Sequence, residues 1–153
     1  MRRSIVVVLA VTVFAGLNGC ERDEAIELVR RSEMQAVARA SFEVRPSDEK
    51  AFAGYFRRDG KYLSIGEVMS SVRDGGRDRW ESRMLTDTVR EVEVDIVPAI
   101  VETPIMVSLR VNVETSEVTI DGLTIKHATG ELTTGMGFDQ YGELDTYMRI
   151  GAK

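Results

Sequence analysis

His127 is the one conventional general base in this 153-residue chain, and Cys20 is its one thiol. An acyl-transfer arrangement of serine, histidine and aspartate would rest wholly on His127. Ser108, Ser116 and Asp121 lie in the same part of the chain, but none sits in a nucleophile motif. His127 also continues the alternation of Leu123 and Ile125, which places it on an apolar face near a strand end, as a structural histidine. One cysteine and one histidine exclude a Cys/His zinc cluster.

Carboxylates are abundant, and a pair of them could hydrolyse a glycosidic bond. Glu91, Glu93 and Asp95 alternate with apolar residues, which is the pattern of the wet face of a strand. Asp74, Asp78 and Asp139 lack the dense acidic spacing that calcium requires. The loop Asp74–Arg79 is rich in glycine and charge but has no phosphate-cradle pattern, and it reads as a solvated turn. Gly135-Met136-Gly137 reads as a bend within a strand. The sequence therefore offers no catalytic residue, no metal site and no cofactor site.

The elements around these residues divide the chain into a helical half and a sheet half. Glu21–Ala40 reads as one charged amphipathic helix, with Ile26, Val29, Val37 and Ala40 on one face and Glu33 interrupting it. A second helix opens after Pro46, capped by Ser47, and carries Phe52, Tyr55 and Phe56 before Asp59-Gly60. Ser64-Ile65-Gly66-Glu67 is a capping box for a third helix that stops at Gly75. Trp80–Val89 is ambiguous, with a helix carrying Trp80 and Met84 as one reading.

From Arg90 the period changes from helix to strand. Val92, Val94 and Ile96 alternate with acids, and Val107, Leu109, Val111 and Val113 alternate with Ser108, Arg110 and Asn112. A turn at Glu102-Thr103 would set Ile96 against Leu109, Val94 against Val111, and Asp95 against Arg110. A turn at Glu114–Glu117 would set Val113 against Val118 and Val111 against Ile120. At Asp121-Gly122 the apolar phase shifts. A bulge there, with Leu123 facing Leu109 and Ile125 facing Val107, matches strand lengths better than a hairpin turn. A turn at Thr129-Gly130, a strand over Leu132–Phe138 and a last strand over Asp145–Ile150 complete the expectation. Pro98 suits an edge position of the first strand. The fold expected is α+β: N-terminal helices packed on one face of a roughly five-stranded antiparallel β meander.

The N-terminus follows a different pattern. Arg2 and Arg3 precede an apolar run, Ile5–Leu17, that spans about 20 Å as a helix, short of the roughly 30 Å of a bilayer core. Then comes Leu17-Asn18-Gly19-Cys20. A positive start, a short apolar core and small residues at a cut form the order of a secretion signal. The Leu-x-Gly-Cys ending resembles the lipobox of bacterial lipoproteins. That resemblance covers residues 1–20 only. It implies removal of residues 1–19, acylation of Cys20 by palmitate-type chains and attachment to a membrane. Glu21, in place of an aspartate, implies by the same analogy the periplasmic face of the outer membrane of the cell envelope rather than the inner membrane.

Cleavage would leave residues 20–153 as a single domain. It would remove two arginines and no acid, taking the net charge from −5 to −7. An acidic domain is unsuited to nucleic acid, since phosphate binding needs clustered lysine and arginine. It is equally unsuited to electrostatic attachment to anionic lipid, so attachment falls to Cys20. The expected function is a non-enzymatic protein-binding or assembly module with an envelope protein as partner. The alternatives are a small-ligand carrier, with a cavity between Val107, Leu109, Met136 and Phe138, and an inhibitor or exclusion lipoprotein acting through an acidic patch.

Overall fold

Valine, isoleucine and leucine at every second position of three consecutive segments build the sheet, and the described helices cover one side of it. A computed structural model describes residues 23–41, 43–100, 103–126, 129–130, 132–133 and 138–151. Five helices are present: α1 (Glu24–Arg31), α2 (Met34–Ser41), α3 (Pro46–Phe56), α4 (Ile65–Arg73) and α5 (Phe138–Gly151). Two short strands, β1 (Arg57–Arg58) and β2 (Lys61–Tyr62), form a hairpin around Asp59-Gly60. The main sheet is an antiparallel meander in the order β3 (Arg77–Met84), β4 (Val89–Val97), β5 (Ile105–Asn112), β6 (Glu117–Lys126) and β7 (Leu132–Thr133). The fold is thus α+β, with helices against one face of a meander.

The covered face carries Val92, Val94, Ile96, Ile105, Val107, Leu109, Val111, Val118, Ile120, Leu123 and Ile125, all buried. Against it lie Ala25 and Val29 of α1, Met34, Val37 and Ala38 of α2, and Ile65, Val68, Met69 and Val72 of α4, all in one continuous core. Phe52 and Phe56 of α3 meet Tyr141 of α5 at ring-centroid distances of 5.0 and 6.1 Å. Offset aromatic contacts at such distances add to simple area burial. The capping box of α4 is present: the Glu67 amide donates to Ser64 Oγ at 3.2 Å, and the Ser64 amide donates to the Glu67 carboxylate at 2.7 Å.

Several expectations change. The single helix over 21–40 is two helices, broken at Ser32-Glu33. There the Met34 amide bonds Leu63 O at 2.9 Å and the Ile65 amide bonds Ser32 O at 2.8 Å. Exchange with the segment before α4 replaces continuation of the helix. The start of α3 has Arg45 at the cap, with no side-chain bond, and Pro46 in its first turn, so Ser47 is not the cap. The solvated turn expected over 74–79 is confined to residues 74–76; Arg77–Met84 form strand β3, because their backbone pairs with β4 from Arg77↔Val97 to Met84↔Arg90. Pro98 consequently follows an interior strand, not an edge strand. The expected last strand over Asp145–Ile150 lies inside helix α5, where Tyr141, Leu144 and Met148 recur at helical spacing on the buried side.

The registers also differ, by four residues between β4 and β5 and by two between β5 and β6. Val94 faces Val107 and Glu91 faces Arg110, because the pairing is centred two residues earlier than a turn at Glu102-Thr103 would centre it. Val111 faces Val118, and Leu109 faces Ile120. An even shift keeps each side chain on its expected face. The bulge is present: the register shifts between Ser108 and Leu109, leaving Asp121 as the extra residue, with Val107 opposite Leu123 and Ile105 opposite Ile125. Of the expected strand over Leu132–Phe138, β7 accounts for Leu132–Thr133, which pair with Lys126 and Ile125.

Candidate functional site

The face of the sheet left uncovered by the described helices carries the odd-numbered residues of β3 and β4. Arg79, Glu81 and Arg83 lie opposite Asp95, Glu93 and Glu91 in that order. That register opposes unlike charges at Arg79–Asp95 and Arg83–Glu91 and like charges at Glu81–Glu93. Arg79 approaches Glu81 at 2.9 Å and Asp95 at 4.0 Å, and Arg83 pairs with Glu91. On the far side Arg110 pairs with Asp121 of the bulge at 2.7 Å. The face is therefore chequered in charge rather than acidic.

Strand β3 is the outer edge of the sheet. Its even-numbered residues point to the helical side: Asp78 and Ser82 are polar, Trp80 and Met84 apolar. Trp80 Nε1 donates to Asp78 at 2.9 Å, Arg73 reaches Asp78 at 3.2 Å, and the Arg30 guanidinium lies 4.6 Å from the Trp80 ring centroid. A guanidinium over an indole is an attractive cation–π arrangement. Next along the edge, the Ser82 hydroxyl donates to Asp23. Asp23 also caps α1, accepting from the Ala25 amide at 3.0 Å and the Ile26 amide at 3.2 Å.

Burial alone would raise the pKa of Asp23. The Ser82 hydroxyl, the Ile26 and Ala25 amides and the Arg90 charge outweigh it and hold the carboxyl below its usual range. Asp23 thus stays ionised near neutrality and is poorly suited to act as a general acid. Around it an open groove of about 450 Å³ wraps the edge, lined by Asp23, Ile26, Trp80, Glu81, Ser82, Arg83, Glu91 and Glu93. Polar contacts on an open edge suit recognition of another surface more than enclosure of a small molecule.

Cys20 and its preceding Leu17, Asn18 and Gly19 lie outside the described residues, as do His127 and Gly135-Met136-Gly137. The chain is described from Asp23, three positions after Cys20. Ser108 is on the uncovered face opposite Glu93, Ser116 is in the β5–β6 turn with φ 60°, and Asp121 is in the bulge. Asp74 ends α4 in a left-handed conformation, Asp78 bonds Trp80, and Asp139 is in the first turn of α5. Among the described residues no three His, Cys, Asp or Glu side chains are grouped as metal ligands.

Two tyrosines in α5 have raised pKa values. Burial raises that of Tyr141, opposed by its bond with Ser41. Burial and the Glu143 charge raise that of Tyr147, opposed by a bond with Thr103. Both belong to the packing of α5. The β3 edge is the part that sequence reasoning missed. Its signal was Trp80 within alternating polar residues, without the apolar partners that mark a strand. Comparison of the chain with protein-family models, with curated proteins and with solved structures returned no match.

Proposed function

We propose that this protein is a lipid-anchored lipoprotein of the bacterial cell envelope, held by Cys20. It acts as a non-enzymatic binding or assembly module, presenting the bare face and outer edge of its sheet to an envelope protein. The observation that carries the reading is the short span between anchor and domain. Asp23, three residues beyond Cys20, is already bonded to Ser82 on the edge strand. Three residues reach at most about 11 Å. A domain tethered so closely works on what lies at the membrane surface. Glu21 favours the outer membrane, facing the periplasm.

Val107 and Leu109 are fully buried in the continuous core, which favours the binding module over a carrier with a cavity at those residues. The chequered charge of the bare face favours contact specified by register and shape over an acidic plug. Among the described residues no helix is long and apolar enough to cross a membrane.

The test has two parts. Wild-type protein should incorporate labelled palmitate, and Cys20→Ser should abolish that and release the domain from membranes. A photo-crosslinking residue in place of Ser108, at the centre of the bare face, should trap a partner of discrete mass in intact cells. Equal membrane retention of Cys20→Ser and wild type without label defeats the anchor. Absence of any specific adduct from Ser108 and from the β3 edge defeats the module.

A further inference from the structure

Met84 and Leu85, at the tip of the β3–β4 hairpin, are 62 % and 43 % exposed. Apolar surface left in water forgoes the stabilisation that its burial would give. The backbone of the tip is closed on itself. The Leu85 and Thr86 amides donate to Val89 O at 2.9 and 3.1 Å, and the Thr88 and Val89 amides donate to Thr86 Oγ1 at 3.3 and 3.0 Å. A turn bonded in this way can leave water with few unpaired backbone groups. Its flanking charges, Arg83, Asp87 and Arg90, are mixed in sign, so attraction of the tip to a surface would be apolar rather than electrostatic.

The tip lies at the same end of the sheet as Asp23, where the described N-terminal part begins. Ser82 holds Asp23, and Met84 is two strand residues further on, about 7 Å. Cys20 lies within about 11 Å of Asp23 along the chain. Ile100, also 62 % exposed, lies beyond the opposite end of β4, with the eight residues of β3 alongside. That length separates the two ends by about 23 Å at ~3.3 Å per residue.

We infer that the Met84–Leu85 tip seats in the interfacial layer of the phospholipid bilayer that holds Cys20. It is a second, apolar contact that fixes which way the domain faces. The inference rests on the lipid-anchor reading of Cys20. A single tether leaves a domain free to rotate; a second contact at the same end sets the sheet upright and keeps the Ile100 end away from the membrane.

An acylated Cys20 has no free thiol, so a cysteine introduced elsewhere labels alone. Full-length protein carrying Leu85→Cys, isolated from bacterial membranes, is labelled with a polarity-sensitive dye. It is then placed in vesicles of phosphatidylethanolamine and phosphatidylglycerol. The dye at Leu85→Cys should shift to the blue and be quenched severalfold more by lipid-borne nitroxide than the same dye at Ile100→Cys. Equal, water-like emission at both positions overturns the inference while leaving the anchor standing. A blue shift in detergent that grows with protein concentration assigns the tip to a second copy of the chain and also overturns it. Dye uptake by Cys20 in the unsubstituted protein defeats the anchor reading, and the inference falls with it.

Discussion

The Asp23 carboxylate accepts a hydrogen bond from the Ser82 hydroxyl, joining residues 59 positions apart and binding the start of α1 to the edge strand β3. The same carboxylate caps α1 through the Ala25 and Ile26 amides. One side chain thus ends a helix, secures a sheet edge and fixes where the N-terminal segment enters the domain.

Its charge gives a pH-dependent contribution of defined sign. The folded-state pKa of Asp23 is depressed from 3.8. The stabilisation is therefore fully present above that value and is lost as pH falls through the lower, folded pKa. Asp23→Asn keeps a capping oxygen but removes the charge. The variant should have a lower urea midpoint than wild type at pH 7, and the gap should close as the pH drops below 3.8. A gap that stays constant with pH would show that geometry rather than charge sets the effect.

Ser41 is a second long-range bond from a helix end to the sheet. Its hydroxyl accepts from the Ile120 amide at 2.7 Å, donates to Val37 O at 2.6 Å, and bonds the buried Tyr141 hydroxyl. Removing a partner from a buried polar group costs about 1–3 kcal/mol. Ser41→Ala should lose that much in denaturant unfolding. Ser41→Ala combined with Tyr141→Phe should cost less than the sum of the single changes, because both remove members of one network. Additive losses would place the two residues in separate networks.

The faces of β4, β5 and β6 were legible because alternation assigns each side chain to a face without reference to its partner. The register was not, because it depends on the β4–β5 connection. An error of an even number of residues leaves every valine on the correct side. The break at Ser32-Glu33 was half visible, since Glu33 interrupts the apolar stripe. Its cause was hidden: the bonds to Leu63 and Ile65 come from a segment about thirty residues away. In α5, Gly142 and the alternation from Asp145 to Ile150 imitate a turn and a strand, while Tyr141, Leu144 and Met148 carry the helical spacing that prevailed. β3 was illegible because one of its faces is wholly charged and the other mixes Asp78 and Ser82 with Trp80 and Met84. Its pairing is specified by neighbours, not by its own pattern. The same polarity concealed the groove around Asp23.

Two glycines give opposite expectations for the same substitution. A Cβ on Gly76 would lie 2.1 Å from Val97 O and 2.7 Å from the Ala99 nitrogen, both backbone atoms that cannot yield without moving the end of β4. Gly54 lies inside α3 with no atom within 4 Å of its Cβ position. Gly54→Ala should stabilise by about 0.5–1 kcal/mol, through loss of unfolded-state freedom. Gly76→Ala should destabilise by several kcal/mol in the manner of an overpacked core. Thermal unfolding of the two variants provides the comparison, and a Gly76→Ala midpoint equal to wild type would contradict the close approach.

The bulge predicts tolerance of a deletion that a regular strand would not accept. Asp121 is the extra residue of β6, placed between Ile120 opposite Leu109 and Gly122 opposite Ser108. Removing it leaves Val118, Ile120, Leu123 and Ile125 in strict alternation on the covered face, since one deleted residue offsets one bulged residue. The cost is then confined to the Arg110–Asp121 ion pair, whose arginine is 58 % exposed, and to local twist. Surface pairs of this kind contribute at most about 1 kcal/mol. Deleting Thr119 instead, within the regular stretch before the bulge, turns Val118 or Ile120 toward solvent unless the bulge itself is consumed. The chain lacking Asp121 should unfold cooperatively within about 1–2 kcal/mol of wild type. Backbone amide exchange should show Leu123 and Ile125 still protected. Loss of that protection would mean that the bulge sets the curvature on which α2 packs, so that β6 cannot be straightened without dislodging the helix above it.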